Sequence, residues 1–275
     1  SQWGHDFRPS YLEIPRFVEK LPMRPTVAAF TATATDAVRK DILEHLGLRQ
    51  PDVLVTGFDR ANLTLRVLRP RDKLAALLEF MGKHEKECGI VYCSTRKTVE
   101  RVTDSLNARG IAALGYHGGM DEETRRNNQN QFLMEDVQVM VATNAFGMGI
   151  DKQNVRYVVH YNMPMNLESY YQEAGRAGRD GAPAECLLLY SPSDVHTAEY
   201  LIKVSRDNQD PKTAAERIRM EKQRLNLMKD YANTTACLRH YILDYFGETS
   251  PSSCGNCSSC RTREQALSAL RQHIP

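Results

Sequence analysis

Downstream of residue 60 the chain alternates between two kinds of hydrophobic spacing. Short, nearly continuous apolar runs recur at Leu63–Leu68, 89–93, 111–116, 137–142, 155–161 and 185–190. Runs of this kind predict strands buried on both faces. Between them lie longer stretches with apolar residues three or four apart, which predict helices over 72–84, 97–109, 121–134, 167–176 and 193–205. Strands alternating with helices of about 10–15 residues predict an α/β fold with a parallel sheet flanked by helices. In such a sheet ligands bind beyond the carboxyl ends of the strands, so the loop after each strand is where chemistry is expected.

The pattern differs on either side of this block. Upstream, Thr26–Phe30 and Val53–Phe58 read as strands, and Thr35 or Asp36 can cap a helix over 37–46 that Gly47 ends. A domain boundary is expected near Asp59–Asn62. Downstream, residues 206–233 place Ile218, Leu225, Leu227, Met228 and Tyr231 at helical spacing, with basic residues on the outer faces. A second helix is expected over 235–246, and Arg263–Ile274 reads as the start of another.

Composition narrows the class. The chain has 275 residues, 41% hydrophobic and 25% charged, enough apolar material for two compact domains. A net charge of +2 does not announce nucleic acid, so any basic face comes from local placement. No apolar run approaches the ~18–20 residues of a membrane helix, and SQWGHDF has no signal-peptide form. Without an initiator Met, the chain is expected to begin inside a longer protein. Seven cysteines and no secretion signal argue for a reducing compartment rather than a disulfide framework.

Candidate chemistry falls where the sheet predicts it. Ser94, Thr95 and Arg96 follow one strand, His117-Gly-Gly119 another, and Thr143 to Asp151 a third. Hydroxyls, glycine amides and helix N-termini are common phosphate contacts; Ser94 and Thr95 serve equally well as plain helix caps. Gln172–Gly181 (QEAGRAGRDG) spaces Arg176 and Arg179 one helical turn apart among three glycines. Each glycine weakens a helix by about 1 kcal/mol relative to alanine. The stretch therefore reads as two phosphate-seeking guanidiniums on a backbone that another surface can approach. Trp3, His5, Phe7 and Arg8 form an aromatic and cationic loop able to stack on unpaired bases, although such aromatics also cover cores. GMGIDK falls short of a dinucleotide fingerprint at Lys152, and no GxxxxGK[ST] loop or DExH-type box occurs in the 275 residues.

The late cysteines carry a separate signal. Cys237, Cys254, Cys257 and Cys260 form two overlapping CxxC units with a distant fourth thiol, the spacing of a closed tetrahedral Zn²⁺ site. A redox CxxC and an iron–sulfur cluster are the alternatives. Cys237 is expected in the first turn of its helix, where the N-terminus lowers a thiol pKa. The polar filler between 252 and 259 has little core, so metal would supply the local fold.

Taken together these stretches resemble the RecQ family of superfamily 2 DNA helicases, bacterial type, over nearly the whole length. SQWGHDFRPSY is similar to the family's aromatic-rich loop, FTATAT to motif III and GIVYCSTRKTVE to motif IV. VMVATNAFGMGIDKQNVRYVVHYNMP is similar to motif V, SYYQEAGRAGRDG to motif VI, and the four cysteines to the zinc-binding subdomain. Ala61 and Gln153 stand where the family often has proline.

The resemblance implies a RecA-like sheet followed by a helical zinc-binding subdomain. Residues 1–58 would be a remnant of the first RecA-like domain, 59–206 the second, 207–262 the helical hairpin and zinc subdomain, and 263–275 the start of a further domain. It also implies ATP- and Mg²⁺-dependent 3′→5′ unwinding in replication, recombination and repair, with the P-loop in an absent N-terminal half. Arg179 would be the arginine finger and Arg176 a second phosphate contact, with Gln172, Gly149 and Asp151 coupling nucleotide to DNA. Trp3, His5, Phe7, Arg8, Ser94, Thr95, His117 and Thr143 would contact single-stranded DNA and duplex junctions. The expected protein is a monomer, cytoplasmic and nucleoid-associated, without membrane contact. Two other readings stand beside this one. The 275 residues alone are expected to be inactive, a DNA-binding and zinc-stabilised module, and a zinc-dependent hydrolase would need an open metal position.

Overall fold

A computed structural model describes residues 13–147, 150–204 and 211–271. The chain divides into two compact units, Ser1–Asp59 with Ile242–Ser250, and Arg60–Tyr241 with Pro251–Pro275.

In the first unit, α1 (Ile14–Glu19) and α2 (Asp36–His45) are joined by chain with no regular secondary structure. Thr35 caps α2 by accepting from the Val38 amide, and Gly47 follows its end with φ +56°. Phe58 stacks on Phe246 at 4.6 Å between ring centroids, and its amide donates to Glu248 Oε2. Neither Thr26–Phe30 nor Val53–Phe58 forms the expected strand. Phe30 is 94% and Leu54 91% exposed. An isolated extended run gains neither ladder hydrogen bonds nor burial, and no described strand of this unit lies beside either.

The second unit contains the predicted sheet. In chain order it runs β1 (Leu63–Leu68), α3 (Lys73–Met81), β2 (Gly89–Tyr92), α4 (Arg96–Asn107), β3 (Ala113–Tyr116), α5 (Glu122–Leu133), β4 (Val139–Ala142), β5 (Tyr157–His160), α6 (Leu167–Ala174), β6 (Ala184–Leu189) and α7 (Pro192–Val204). The described helices α8 (Pro211–Asn233), α9 (Leu238–Tyr245, which runs into the first unit) and α10 (Ser258–Arg271) follow. The six strands are all parallel in the order β1-β6-β5-β2-β4-β3. Their central members are buried on both faces, which is why the sequence reads there as unbroken apolar runs. On one face Val91, Val141, Val159 and Leu187 pack with Leu77, Phe80, Val99, Val102 and Leu106 of α3 and α4. Alternate residues Ile90, Met140, Val158 and Cys186 point to the other face, as the two-residue period requires.

Several ends move from their expected places. Helix α6 stops at Ala174 rather than 176, α9 begins at Leu238 rather than 235, and α10 begins at Ser258 rather than 263. Edge strand β1 is covered along its open side. The Val67 amide donates to Ser258 Oγ at 3.2 Å, and Thr64 Oγ1 donates to Asn256 Oδ1 at 3.1 Å. Covering an edge in this way removes a template for pairing with another chain. No helix among the described residues is long and apolar enough to cross a membrane.

Candidate functional site

The strand order brings three of the predicted loops together. With β2, β4 and β3 adjacent and parallel, Ser94 and Thr95, Thr143, and His117 emerge on one carboxyl edge. Thr95 caps α4, accepting from the Thr98 amide at 3.2 Å. Ser94 is exposed, and its amide donates to Asn162 Oδ1 at 3.2 Å. Asn162 in turn donates to buried Asp194, which pairs with Lys73 at 2.7 Å. Burial lowers the Lys73 pKa against the opposing pull of Asp194. His117 is largely buried; its Nδ1 accepts from the Gly119 amide at 3.2 Å, and its Nε2 lies 3.3 Å from Glu100. Its ring therefore holds the glycine turn in place.

Arg176 and Arg179 sit at the opposite edge. Because α6 runs back down the sheet, its end lies beside the starts of the strands. The Gly178 amide donates to Val155 O, just before β5, at 2.8 Å. The arginines are not on a helix face as the spacing suggests: residues 175–180 form successive turns, with φ +56° at Gly178. Turning the chain here exposes carbonyls that a continuing helix would have used. Arg60 takes three of them, Gly175 O at 3.2 Å, Ala177 O at 3.0 Å and Gly178 O at 2.9 Å. Asn62 donates to Gly178 O and to Ala182 O, each at 2.9 Å. A Cβ on Gly178 would meet Asn62 Nδ2 at 2.5 Å and Ala182 O at 2.7 Å, so glycine is required there for space as well as for φ.

From this turn the two guanidiniums engage the loop between β4 and β5. Arg176 Nη1 donates to Gly147 O at 2.6 Å, while its Nε is buried without a hydrogen-bond partner among the described residues. Arg179 Nη1 donates to Ile150 O at 2.9 Å and pairs with Asp151 Oδ1 at 2.8 Å. The neighbouring Phe146 carbonyl accepts from buried Tyr92 OH at 3.0 Å. One loop thus starts at Thr143 on the carboxyl edge and meets both arginines at Gly147, Ile150 and Asp151 on its way to β5.

Gln172 lies half-buried on α6. Trp3, His5, Phe7, Arg8 and Gly149 lie outside the described residues. Sequence reasoning missed Arg60 and Asn62 as site residues, because they stand at a domain boundary and no local pattern points to carbonyls more than a hundred residues away.

The four late cysteines converge. The Sγ atoms of Cys237, Cys254, Cys257 and Cys260 lie within 4.8 Å of one another, and those of Cys237 and Cys257 are 3.9 Å apart. Tetrahedral Zn–S bonds of about 2.3 Å place sulfurs about 3.8 Å apart, so the cage fits that ion. Backbone amides of Asn256 and Cys257 point at Cys254 Sγ at 3.4 and 3.3 Å, that of His240 at Cys237 Sγ at 3.5 Å, and Ser253 Oγ at Cys260 Sγ at 3.2 Å. Donors aimed at sulfur stabilise thiolate and orient it for metal. Cys237 departs from expectation: burial pushes its thiol up to about 12, outweighing the start of α9. Against the same burial effect, hydrogen bonds led by Ser253 bring Cys260 down to about 6. Four protein sulfurs leave no open position for a water or substrate, as in structural zinc sites.

Comparison with known proteins follows this division. Residues 72–181 match the helicase conserved C-terminal domain, and residues 192–261 match the RecQ zinc-binding family. The chain is 43% identical over 272 residues to the ATP-dependent DNA helicase RecQ of Bacillus subtilis, covering 99% of this chain and 45% of that protein. It is 41% identical over 260 residues to the protein of the same name from Pasteurella multocida, covering 94% of this chain and 40% of that protein. The chain thus spans less than half the length of these relatives. Among solved structures, Saccharomyces cerevisiae Dbp5 bound to RNA and ADP BeF3 superposes with a TM-score of 0.60 at 21% identity, covering 81% of this chain and 61% of that one. That likeness concerns the fold, a RecA-like sheet.

Proposed function

Because the chain belongs to the RecQ family of superfamily 2 helicases, we propose that it is the motor's second half in an ATP-dependent DNA helicase that unwinds 3′→5′ in replication, recombination and repair. The observation that carries this reading is the loop 143–156. It opens beside the hydroxyls of Ser94 and Thr95, and its middle is gripped by Arg176 at Gly147 and by Arg179 at Ile150 and Asp151. A single segment that begins at one and is held by the other can pass a change at a nucleotide to a DNA strand, and back.

In this reading Arg179 is the arginine finger, with Arg176 as a second phosphate contact. A guanidinium placed against the transferring phosphoryl group stabilises its developing charge, an effect worth about 10³–10⁵ in rate in other nucleotide hydrolases. The pairing of Arg179 with Asp151 keeps the guanidinium oriented until phosphate replaces it as partner. Gln172 and Gly149 join Asp151 in coupling nucleotide to DNA. Ser94, Thr95, His117 and Thr143 line the strand's phosphates, and Trp3, His5, Phe7 and Arg8 stack on or pair with its bases and backbone. ATP and Mg²⁺ are held chiefly by a P-loop-bearing half, for these 275 residues contain no GxxxxGK[ST] sequence. Zinc is structural, and the working unit is a monomer on single-stranded DNA and duplex junctions. We place it in the cytoplasm with the nucleoid.

The test is DNA-stimulated ATP hydrolysis by the full-length protein carrying both halves. Arg179→Ala should lower kcat by about 10³-fold or more with DNA binding retained. An unchanged kcat would overturn the assignment. The closed set of four sulfurs speaks against a zinc-dependent hydrolase.

A further inference from the structure

We propose that Arg60 is a positioning residue for the Arg176–Arg179 pair, and that Arg239 of the zinc-binding region holds Arg60 in place. The proposal rests on the reading of Arg179 as the arginine finger and extends it to residues that no part of motif VI contains.

The turn that carries the two arginines is poorly determined by its own sequence. Residues 175–181 include three glycines, two of them at positive φ, and glycine has more backbone freedom to lose than any other residue. Helix α6 ends at Ala174 with Tyr171 O, Glu173 O and Ala174 O taken by the amides of Gly175, Arg176 and Ala177, and the negative end of its dipole faces the turn that follows, whose own carbonyls are left for a side chain. A cation with several donors in a fixed plane suits that position better than any other side chain. Arg60 is placed there, and its two terminal nitrogens reach Gly175 O, Ala177 O and Gly178 O at 3.2, 3.0 and 2.9 Å. The carbonyls it holds belong to the residues on both sides of Arg176 and to the one before Arg179. Displacing them moves both guanidiniums off Gly147, Ile150 and Asp151, the contacts that orient them here.

Arg60 lies on irregular chain just before β1 and needs anchoring of its own. Arg239, on α9 two residues beyond the zinc ligand Cys237, supplies it. Its Nη1 donates to Arg60 O at 2.7 Å, and its Nη2 donates to Leu63 O at 2.5 Å and Ala61 O at 3.4 Å. The chain of contacts therefore runs from the zinc cage through Arg239, the 60–63 backbone and the Arg60 fork to the arginine turn. This gives the zinc-binding region a defined mechanical task in hydrolysis besides its own folding.

The experiment uses the full-length protein and reads DNA-stimulated ATP hydrolysis, zinc content and melting temperature for Arg60→Ala, Arg60→Lys, Arg239→Ala, Arg179→Ala and the double variant Arg60→Ala/Arg179→Ala. If Arg60 acts through Arg179, Arg60→Ala lowers kcat by about tenfold or more with KM for ATP within about twofold, and adds less than about twofold in the Arg179→Ala background. Zinc content stays at one per chain. Arg60→Lys keeps the charge but not the three-way fork and falls between wild type and Arg60→Ala; Arg239→Ala falls in the same direction. The proposal is overturned if Arg60→Ala leaves kcat unchanged, or if its cost multiplies with that of Arg179→Ala. It is equally overturned if both Arg60 variants lose zinc and melt early, which would make the residue merely structural. An Arg179→Ala protein with normal kcat would instead remove the arginine-finger reading itself, an outcome the single variant reports separately.

Discussion

Arg176 and Arg179 stand three residues apart, yet the protein holds them by different means. Arg179 pairs with a carboxylate, Asp151, and remains exposed, whereas Arg176 threads against the backbone at Gly147. A Cβ on Gly147 would lie 2.3 Å from Arg176 Nη2 and 2.8 Å from its Cζ. The clashing atoms are the far end of a flexible side chain, so Gly147→Ala should displace the guanidinium rather than unfold the loop. Misplacing a group by on the order of 1 Å can cost about 10²-fold in rate. In the full-length protein we expect Gly147→Ala to keep a wild-type melting temperature and lose at least tenfold of its DNA-stimulated kcat, as a rough lower bound. A large fall in melting temperature with normal turnover per folded molecule would contradict this.

At the scale of elements, the segment 251–260 has no hydrophobic core to hold it. Its buried side chains are Cys257 and Cys260, flanked by serine, glycine and asparagine. Yet it lies along the open edge of β1 through Asn256 and Ser258, and α10 starts within it. Binding energy for structural zinc, about 10–16 kcal/mol in zinc-finger peptides, is folding energy for such a segment. Stripping the metal with a chelator should therefore make this segment susceptible to limited proteolysis while the sheet remains protected. Hydrogen exchange would show the same division, with amides of 254–260 exchanging early and those of β2, β4 and β5 late. A metal-free protein with unchanged protection throughout would exclude a structural role for zinc. Serine in place of Cys257, whose sulfur is buried among the other three, should behave like the stripped protein.

At the scale of the whole molecule, the two compact units differ in how complete they are. The second has a six-stranded sheet with both faces covered. The first exposes Phe30, Val53, Leu54 and Val55 on chain with no regular secondary structure. Contiguous exposed apolar chain of this kind marks a surface meant to be covered. We expect the 275 residues by themselves to show no DNA-stimulated ATP hydrolysis, while keeping zinc and a folded sheet. Turnover by this polypeptide that Arg179→Ala abolishes would show that it holds a complete site, contrary to this reading.

The sequence by itself determined the sheet, the helices that cover it and the metal cage. Those features are written locally. Burial on both faces makes a strand an unbroken apolar run, amphipathic helices repeat every three or four residues, and thiols that share an ion must be cysteines at short spacing. The same local reading went astray at Thr26–Phe30 and Val53–Phe58, because a strand exists only beside another strand and an apolar run does not say where its neighbour is. It also put Arg176 and Arg179 on a helix face. Only the tertiary structure decided that they stand in turns past the end of α6, on the edge of the sheet opposite Ser94, Thr95 and Thr143. The same structure brought Arg60 to their turn across more than a hundred residues of chain, and Arg239 to the backbone of residues 60–63 across still more. The partners there are backbone carbonyls, which every residue possesses, so no side-chain pattern in the sequence could mark them.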